Sequence, residues 1–211
     1  MEELQSLLRK YYLEHAEVIS LAPWNRQYCR NSFPKYWEIT FSLLQNIDKD
    51  SRVIEIGCGL GAITSILCYQ GYEKIASFEK DSLLAEKARL LVKDVFEREH
   101  IIINQEFPSG KSYHCDVLIL VNCVYANLLR TKMEYLELLR YYYESAHTPR
   151  YFILEVIDDS YQIEDAEFPS YIRLNEKEVR ELFSDCIIKS WVTYHYPENQ
   201  KSKKLYLIVN V

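Results

Sequence analysis

Glycine is scarce in this chain, with five residues in 211, so each glycine needs a reason. No apolar run is long enough to span a membrane, and no N-terminal hydrophobic stretch has signal length. Those two absences point to the cytoplasm. The six cysteines, Cys29, Cys58, Cys68, Cys115, Cys123 and Cys186, form no C-x-x-C pair and sit mostly inside apolar runs. That is the pattern of buried free thiols in a reducing compartment, not of a disulfide framework. His15, His100, His114, His147 and His195 are dispersed, and no zinc-type ligand spacing results. Basic residues are the minority, 25 Lys and Arg against 31 Asp and Glu, for a net charge of -6. They are scattered, and the basic face that a nucleic-acid binder uses to neutralise phosphates is missing. Internal repeats, low-complexity segments and linkers are also absent. What remains is an ordinary globular composition, long enough for one full-sized core.

Three of the five glycines alternate within one stretch, Arg52-Val-Ile-Glu-Ile-Gly-Cys-Gly-Leu-Gly-Ala-Ile-Thr64. Val53, Ile54 and Ile56 make a short strand of the buried type. Gly57, Gly59 and Gly61 let the backbone turn sharply and come close to a ligand, because no Cβ intervenes. Ile63, Ile66 and Leu67 follow at helical spacing, so the loop opens a helix. A strand, a glycine loop and a helix N-terminus form a cofactor cradle. Glu55 precedes the first glycine by two residues. Glu79 ends the next apolar run, where a carboxylate can accept hydrogen bonds from both hydroxyls of a ribose. Gly57, Gly59 and Ala62 also satisfy G-x-G-x-x-G/A, the spacing of NAD sites. Glu55, a leader of about fifty residues and a terminal strand pair in place of a second nucleotide-binding half all disfavour NAD.

The stretch resembles motif I of the class I S-adenosylmethionine-dependent methyltransferases, with their acidic end of the second strand. By order of elements the resemblance spans residues 50 to 160; its specific part is the glycine loop and Glu79. It implies a methyltransferase using S-adenosylmethionine and releasing S-adenosylhomocysteine. The implied cofactor contacts are Glu55, Gly57, Cys58, Gly59, Gly61, Glu79 and Lys80, with Gln105 or Glu106 toward the adenine amino group and Phe107 over its ring. Asn122, at the end of the fourth strand, stands where similar enzymes meet the methionine end of the cofactor and the substrate. Enzymes acting on adenine N6 or glutamine amides usually carry Asn/Asp-Pro-Pro-Tyr/Phe there. This chain has Asn122-Cys-Val-Tyr125, which lowers those substrates. Acids at Asp158 and Asp159 match only part of a catechol-type magnesium site, and no metal is expected.

The element order predicts an α/β fold: a doubly wound, seven-stranded, mostly parallel sheet whose last strand runs antiparallel. Strands are expected at 52–57, 74–79, 101–103, 116–121, 151–157, 186–194 and 204–209. Helices are expected at 62–70, 82–98, 132–145 and 176–183. Residues 1–50 are expected to form a helical lid of two helices, the first over 2–20 and the second from Pro34, ahead of a catalytic domain at 51–211. The lid is aromatic, and Tyr11, Tyr12, Tyr28, Tyr36 and Trp37, with Tyr125 from the core, are its candidate acceptor wall, although packing accounts for most such rings. No side chain announces itself as a general base; His15, Tyr125 and Glu155 are the candidates, and an acceptor nitrogen would need none. The expected partner is a small-molecule acceptor, an amine or an aromatic or hydroxyl group, and the protein is expected to be a monomer or homodimer. Two rival readings stay open. Phe33-Pro-Lys-Tyr36 resembles a stretch of nicotianamine-synthase-like enzymes, which move the aminocarboxypropyl group of the same cofactor. A non-catalytic cofactor-binding subunit is the other.

Overall fold

Val53–Ile56 and Val117–Leu120 are buried at every residue, as strands covered on both faces must be. The structure, a computed structural model, describes residues 1–21, 23–110, 113–123, 129–196 and 201–211. The helices are α1 (Glu2–Glu14), α2 (Ala16–Leu21), α3 (Lys35–Gln45), α4 (Ala62–Tyr69), α5 (Ser82–Phe96), α6 (Lys132–Ser145) and α7 (Glu176–Leu182). The strands are β1 (Val53–Ile56), β2 (Ile75–Phe78), β3 (Ile102–Ile103), β4 (Val117–Leu120), β5 (Tyr151–Asp158), β6 (Arg173–Leu174), β7 (Cys186–Tyr196) and β8 (Lys201–Asn210).

The strand order is β3-β2-β1-β4-β5-β8-β7, with β6 beside β5. β1, β4 and β5 pair parallel, as do β2 and β3. β8 runs antiparallel to β5, and β7 antiparallel to β8. This is the mostly parallel α/β sheet with an antiparallel closing hairpin that the sequence predicts. The two-residue β6 was not legible, because so short a strand has no period to read. No helix among the described residues is long and apolar enough to cross a membrane.

The chain forms two compact units, Met1–Ser51 with Cys58–Glu106, and Arg52–Gly57 with Phe107–Val211. In the first, the expected helix over 2–20 breaks at His15, whose backbone leaves the helix at φ -119, ψ 61. The leader then packs as a chain of rings. Tyr12 stacks on Tyr28 at 5.7 Å, and Phe33 meets Trp37 at 4.7 Å. The hydroxyls of Tyr28 and Tyr36 lie 2.7 Å apart. Hydrogen bonds tie the leader to α4: Trp37 Nε1 donates to Ala62 O at 3.0 Å, Gln70 Nε2 to Phe41 O at 2.8 Å, and Tyr69 Oη to Glu3 at 2.6 Å. α5 starts where Asp81 accepts from the backbone N–H groups of Leu83 and Leu84, an N-cap that meets two orphan donors.

In the second unit, α6 and α7 both begin with capping boxes, Thr131 with Glu134 and Asn175 with Glu178. Arg173 is buried, and its guanidinium donates to the carbonyls of Phe168, Tyr161 and Ile163. That one side chain pins the segment from the end of β5 to β6. At the end of β5, buried Asp158 is 2.7 Å from Lys204 Nζ. Burial acts to raise the Asp158 carboxyl, but Lys204 and Ser160 outweigh it and hold it below the ordinary aspartate value. A carboxylate with a lowered folded-state pKa contributes stability above its unfolded pKa and loses it as pH falls. Asp158→Asn should therefore be less stable than the parent at neutral pH, and the gap should close as pH drops below about 4. Urea denaturation across that range checks it; a gap that does not depend on pH would show that Asp158 acts by shape alone.

Candidate active site

The glycine loop turns because its own carbonyls and the end of β2 capture its amides. Cys58 N–H donates to Phe78 O at 2.9 Å, and Gly61 N–H returns to Cys58 O at 2.8 Å. Gly59 N–H donates to Glu79 Oε2 at 2.9 Å. The other carboxylate oxygen of Glu79 accepts from Asp81 N–H at 2.9 Å. Glu79 is 8 % exposed. A carboxylate offers about four lone-pair sites, and two backbone donors occupy two of them, so acceptor capacity remains at both oxygens. Gly59 has φ +55, and a Cβ built there would meet nothing within 4 Å. The loop thus presents bare backbone to open space beside a buried carboxylate. Those residues fit the ribose end of a nucleoside cofactor.

Asn104, which the sequence reading passed over, donates from Nδ2 to the carbonyls of Glu79 and Lys80 at 2.9 and 3.2 Å and so steadies the end of β2. Lys80 and Glu106 face each other at 3.9 Å with both side chains mostly in solvent, a pair worth little. Gln105 is exposed, and Cys58 is buried.

In the second unit, Glu55 is buried within β1. Gly57 has φ +68, and a Cβ there would stand 2.0 Å from Cys123 Sγ, so no side chain fits. Phe107 is 2 % exposed, with its ring against Tyr113 and Tyr142 at 5.2 and 6.1 Å. Asn122 takes φ +53, rare outside glycine. Its backbone N–H donates to Glu155 Oε2 at 3.1 Å, and its Oδ1 accepts from Lys203 Nζ at 2.9 Å. Glu155 is 1 % exposed, and its Oε1 accepts the Thr193 hydroxyl at 2.5 Å. Thr193 and Lys203 were not anticipated. The available signal was Glu155 itself, an acid inside an apolar strand that has to find donors.

The other expected site residues have structural work. His15 caps α1: its N–H and its Nδ1 both engage Tyr11 O, and its ring stacks on Tyr11 at 4.1 Å. Tyr11, Tyr12, Tyr28, Tyr36 and Trp37 are between 0 and 7 % exposed, packed in the leader's own core rather than lining an open wall. Burial, then Asp94 and Glu17, push the Tyr11 phenol up to about 12, and burial drives Tyr12 higher, so neither supplies a phenolate at neutral pH. Tyr125 lies outside the described residues. Asp159 accepts from Asn175 Nδ2 at 2.8 Å. Among the described residues, no group of three or more His, Cys, Asp or Glu side chains could hold a metal ion.

No protein-family model and no curated protein sequence matches the chain. Solved structures do match it in fold. Magnesium protoporphyrin IX methyltransferase from Synechocystis PCC 6803 with bound SAH superposes with a TM-score of 0.66 at 13% identity, covering 98% of this chain and 100% of that one. TehB from Haemophilus influenzae gives 0.63 at 12% identity over 89% of this chain and 65% of that one. The methyltransferase domain of bacterial CtHen1 gives 0.58 at 14% identity over 84% of this chain and 98% of that one. The chain therefore has the fold of the class I S-adenosylmethionine-dependent methyltransferases.

The Gly57 geometry generates a paired test. Gly57→Ala forces its methyl group onto Cys123 Sγ and strains a positive φ, and should cost stability by about 1–3 kcal/mol. Adding Cys123→Ala removes the sulfur and should return part of that loss in thermal denaturation. If the second substitution returns nothing, the cost lies wholly in the backbone.

Proposed function

We propose that this protein is an S-adenosylmethionine-dependent methyltransferase of the cytoplasm that acts on a small-molecule acceptor. One observation carries the reading. Glu79 is a buried carboxylate fastened to the glycine loop through Gly59 N–H, with acceptor capacity left at both oxygens and open space in front of Gly59. An acid kept from water at that cost is well used when a ligand's hydroxyls complete its shell. The magnesium protoporphyrin IX methyltransferase that shares the fold is known with bound SAM and with bound SAH, and that supports the same cofactor class here.

In this reading Glu79 accepts from the ribose hydroxyls, and the backbone at Gly59 lies against the cofactor where no Cβ obstructs it. The bound cofactor supplies an electrophilic methyl group on a sulfonium sulfur. The chain supplies alignment and exclusion of water, and alignment alone is worth several kcal/mol. Glu155 is 1 % exposed and holds Asn122 N–H on one oxygen and the Thr193 hydroxyl on the other, so we assign it a holding role, not that of a base. With His15 used as a cap, an acceptor nitrogen that reacts as its neutral amine is the class these residues suit. The net charge of -6 and the scattered basic residues support a small acceptor over a nucleic acid.

Calorimetry with S-adenosylhomocysteine tests the assignment. The parent should bind, and Glu79→Ala should weaken binding by about 1–3 kcal/mol through loss of charge-assisted hydrogen bonds and of the Gly59 anchor. Equal affinity in the two proteins would remove Glu79 from the site. Incubation with S-adenosylmethionine and a metabolite extract should then release S-adenosylhomocysteine. Release of methylthioadenosine would mean aminocarboxypropyl transfer instead.

A further inference from the structure

We infer that the C-terminal hairpin sets the turn after β4, with Thr193 and Lys203 as positioning residues for Asn122. The inference rests on the methyltransferase reading for its purpose, but not for its geometry. The register of β7 on β8 slips between Val192, opposite Lys204, and Tyr194, opposite Lys203, which leaves Thr193 as the extra residue of a β-bulge. Bulges re-aim side chains and gather beside active sites. Here the re-aimed side chain is buried, 6 % exposed, and its hydroxyl donates to Glu155 Oε1 at 2.5 Å. Glu155 belongs to β5, and β8 runs between β5 and β7. The bond therefore reaches across an intervening strand.

Lys203 stands at the same bulge and sends Nζ to Asn122 Oδ1 at 2.9 Å. One irregularity thus acts on Asn122 twice, through its side chain directly and through its backbone N–H by way of Glu155. Asn122 sits at φ +53, in the left-handed region that asparagine enters more readily than other non-glycine residues, and here both its side chain and its backbone N–H are held. The same lysine lies 5.8 Å from the ring centroid of Phe168, on the segment that buried Arg173 pins. The carboxylate is the hub, since an acid 1 % exposed is stable only with its donors in place, and Thr193 is one of them.

The test compares Thr193→Val, which keeps the shape and removes the hydroxyl, with Thr193→Ser, which keeps the hydroxyl. Lys203→Met is the third variant. Hydrogen–deuterium exchange of the Asn122 amide, measured without any cofactor, reads the positioning itself. It should speed up about tenfold in Thr193→Val and in Lys203→Met, and stay near parental in Thr193→Ser. An Asn122 amide that exchanges at the parental rate in Thr193→Val would overturn the inference. So would equal acceleration in Thr193→Val and Thr193→Ser, since the hydroxyl would then be irrelevant. S-adenosylhomocysteine affinity of the parent, measured alongside, tests the assignment to Glu79 separately, so that failure of the positioning and failure of the cofactor reading are told apart.

Discussion

The bond from Gly59 N–H to the Glu79 carboxylate is the constraint on which the first unit's geometry depends. An amide in a tight glycine turn and a carboxylate withdrawn from water each need a partner, and here each satisfies the other. The consequence is a loop whose backbone is fixed before any ligand arrives. A preorganised loop loses little ordering entropy on binding, which is where affinity is otherwise spent. Asp81 N–H on the second oxygen, and Asn104 on the carbonyl of Glu79, hold the acid itself in position. Asp81 also caps α5, so the residue that steadies the acid starts the next helix.

The leader serves this arrangement as scaffold. Trp37, fully buried, donates to the carbonyl of Ala62, the first residue of α4 directly after Gly61. Stacked and tilted rings from Tyr12 to Phe41 carry that contact back through the leader. These rings are what lets a helical extension pack firmly on the helix that follows the glycine loop. Their hydroxyls are spent internally, as between Tyr28 and Tyr36.

Much of this was legible in the residues. The alternation of glycines 57, 59 and 61, the apolar strand ahead of them and the acid at 79 are local signals, and they led to the α/β sheet and the loop. The break at His15 was hidden, because Val18 continues an apolar pattern while the backbone leaves the helix one turn earlier. The uses of Tyr11 to Trp37 were hidden for a different reason. Periodicity shows that a ring is buried but not what covers it. Thr193 and Lys203 could not be read at all: a bulge depends on the pairing of two strands, and one strand's alternation does not announce an extra residue.

A crystal structure of the protein grown with S-adenosylhomocysteine tests the central claim most directly. The account predicts that the ribose hydroxyls lie within hydrogen-bonding distance of the Glu79 carboxylate, with Gly59 N–H still on Oε2 and no rearrangement of the loop. Ligand bound away from the glycine loop, or a ribose that leaves Glu79 untouched, would contradict it.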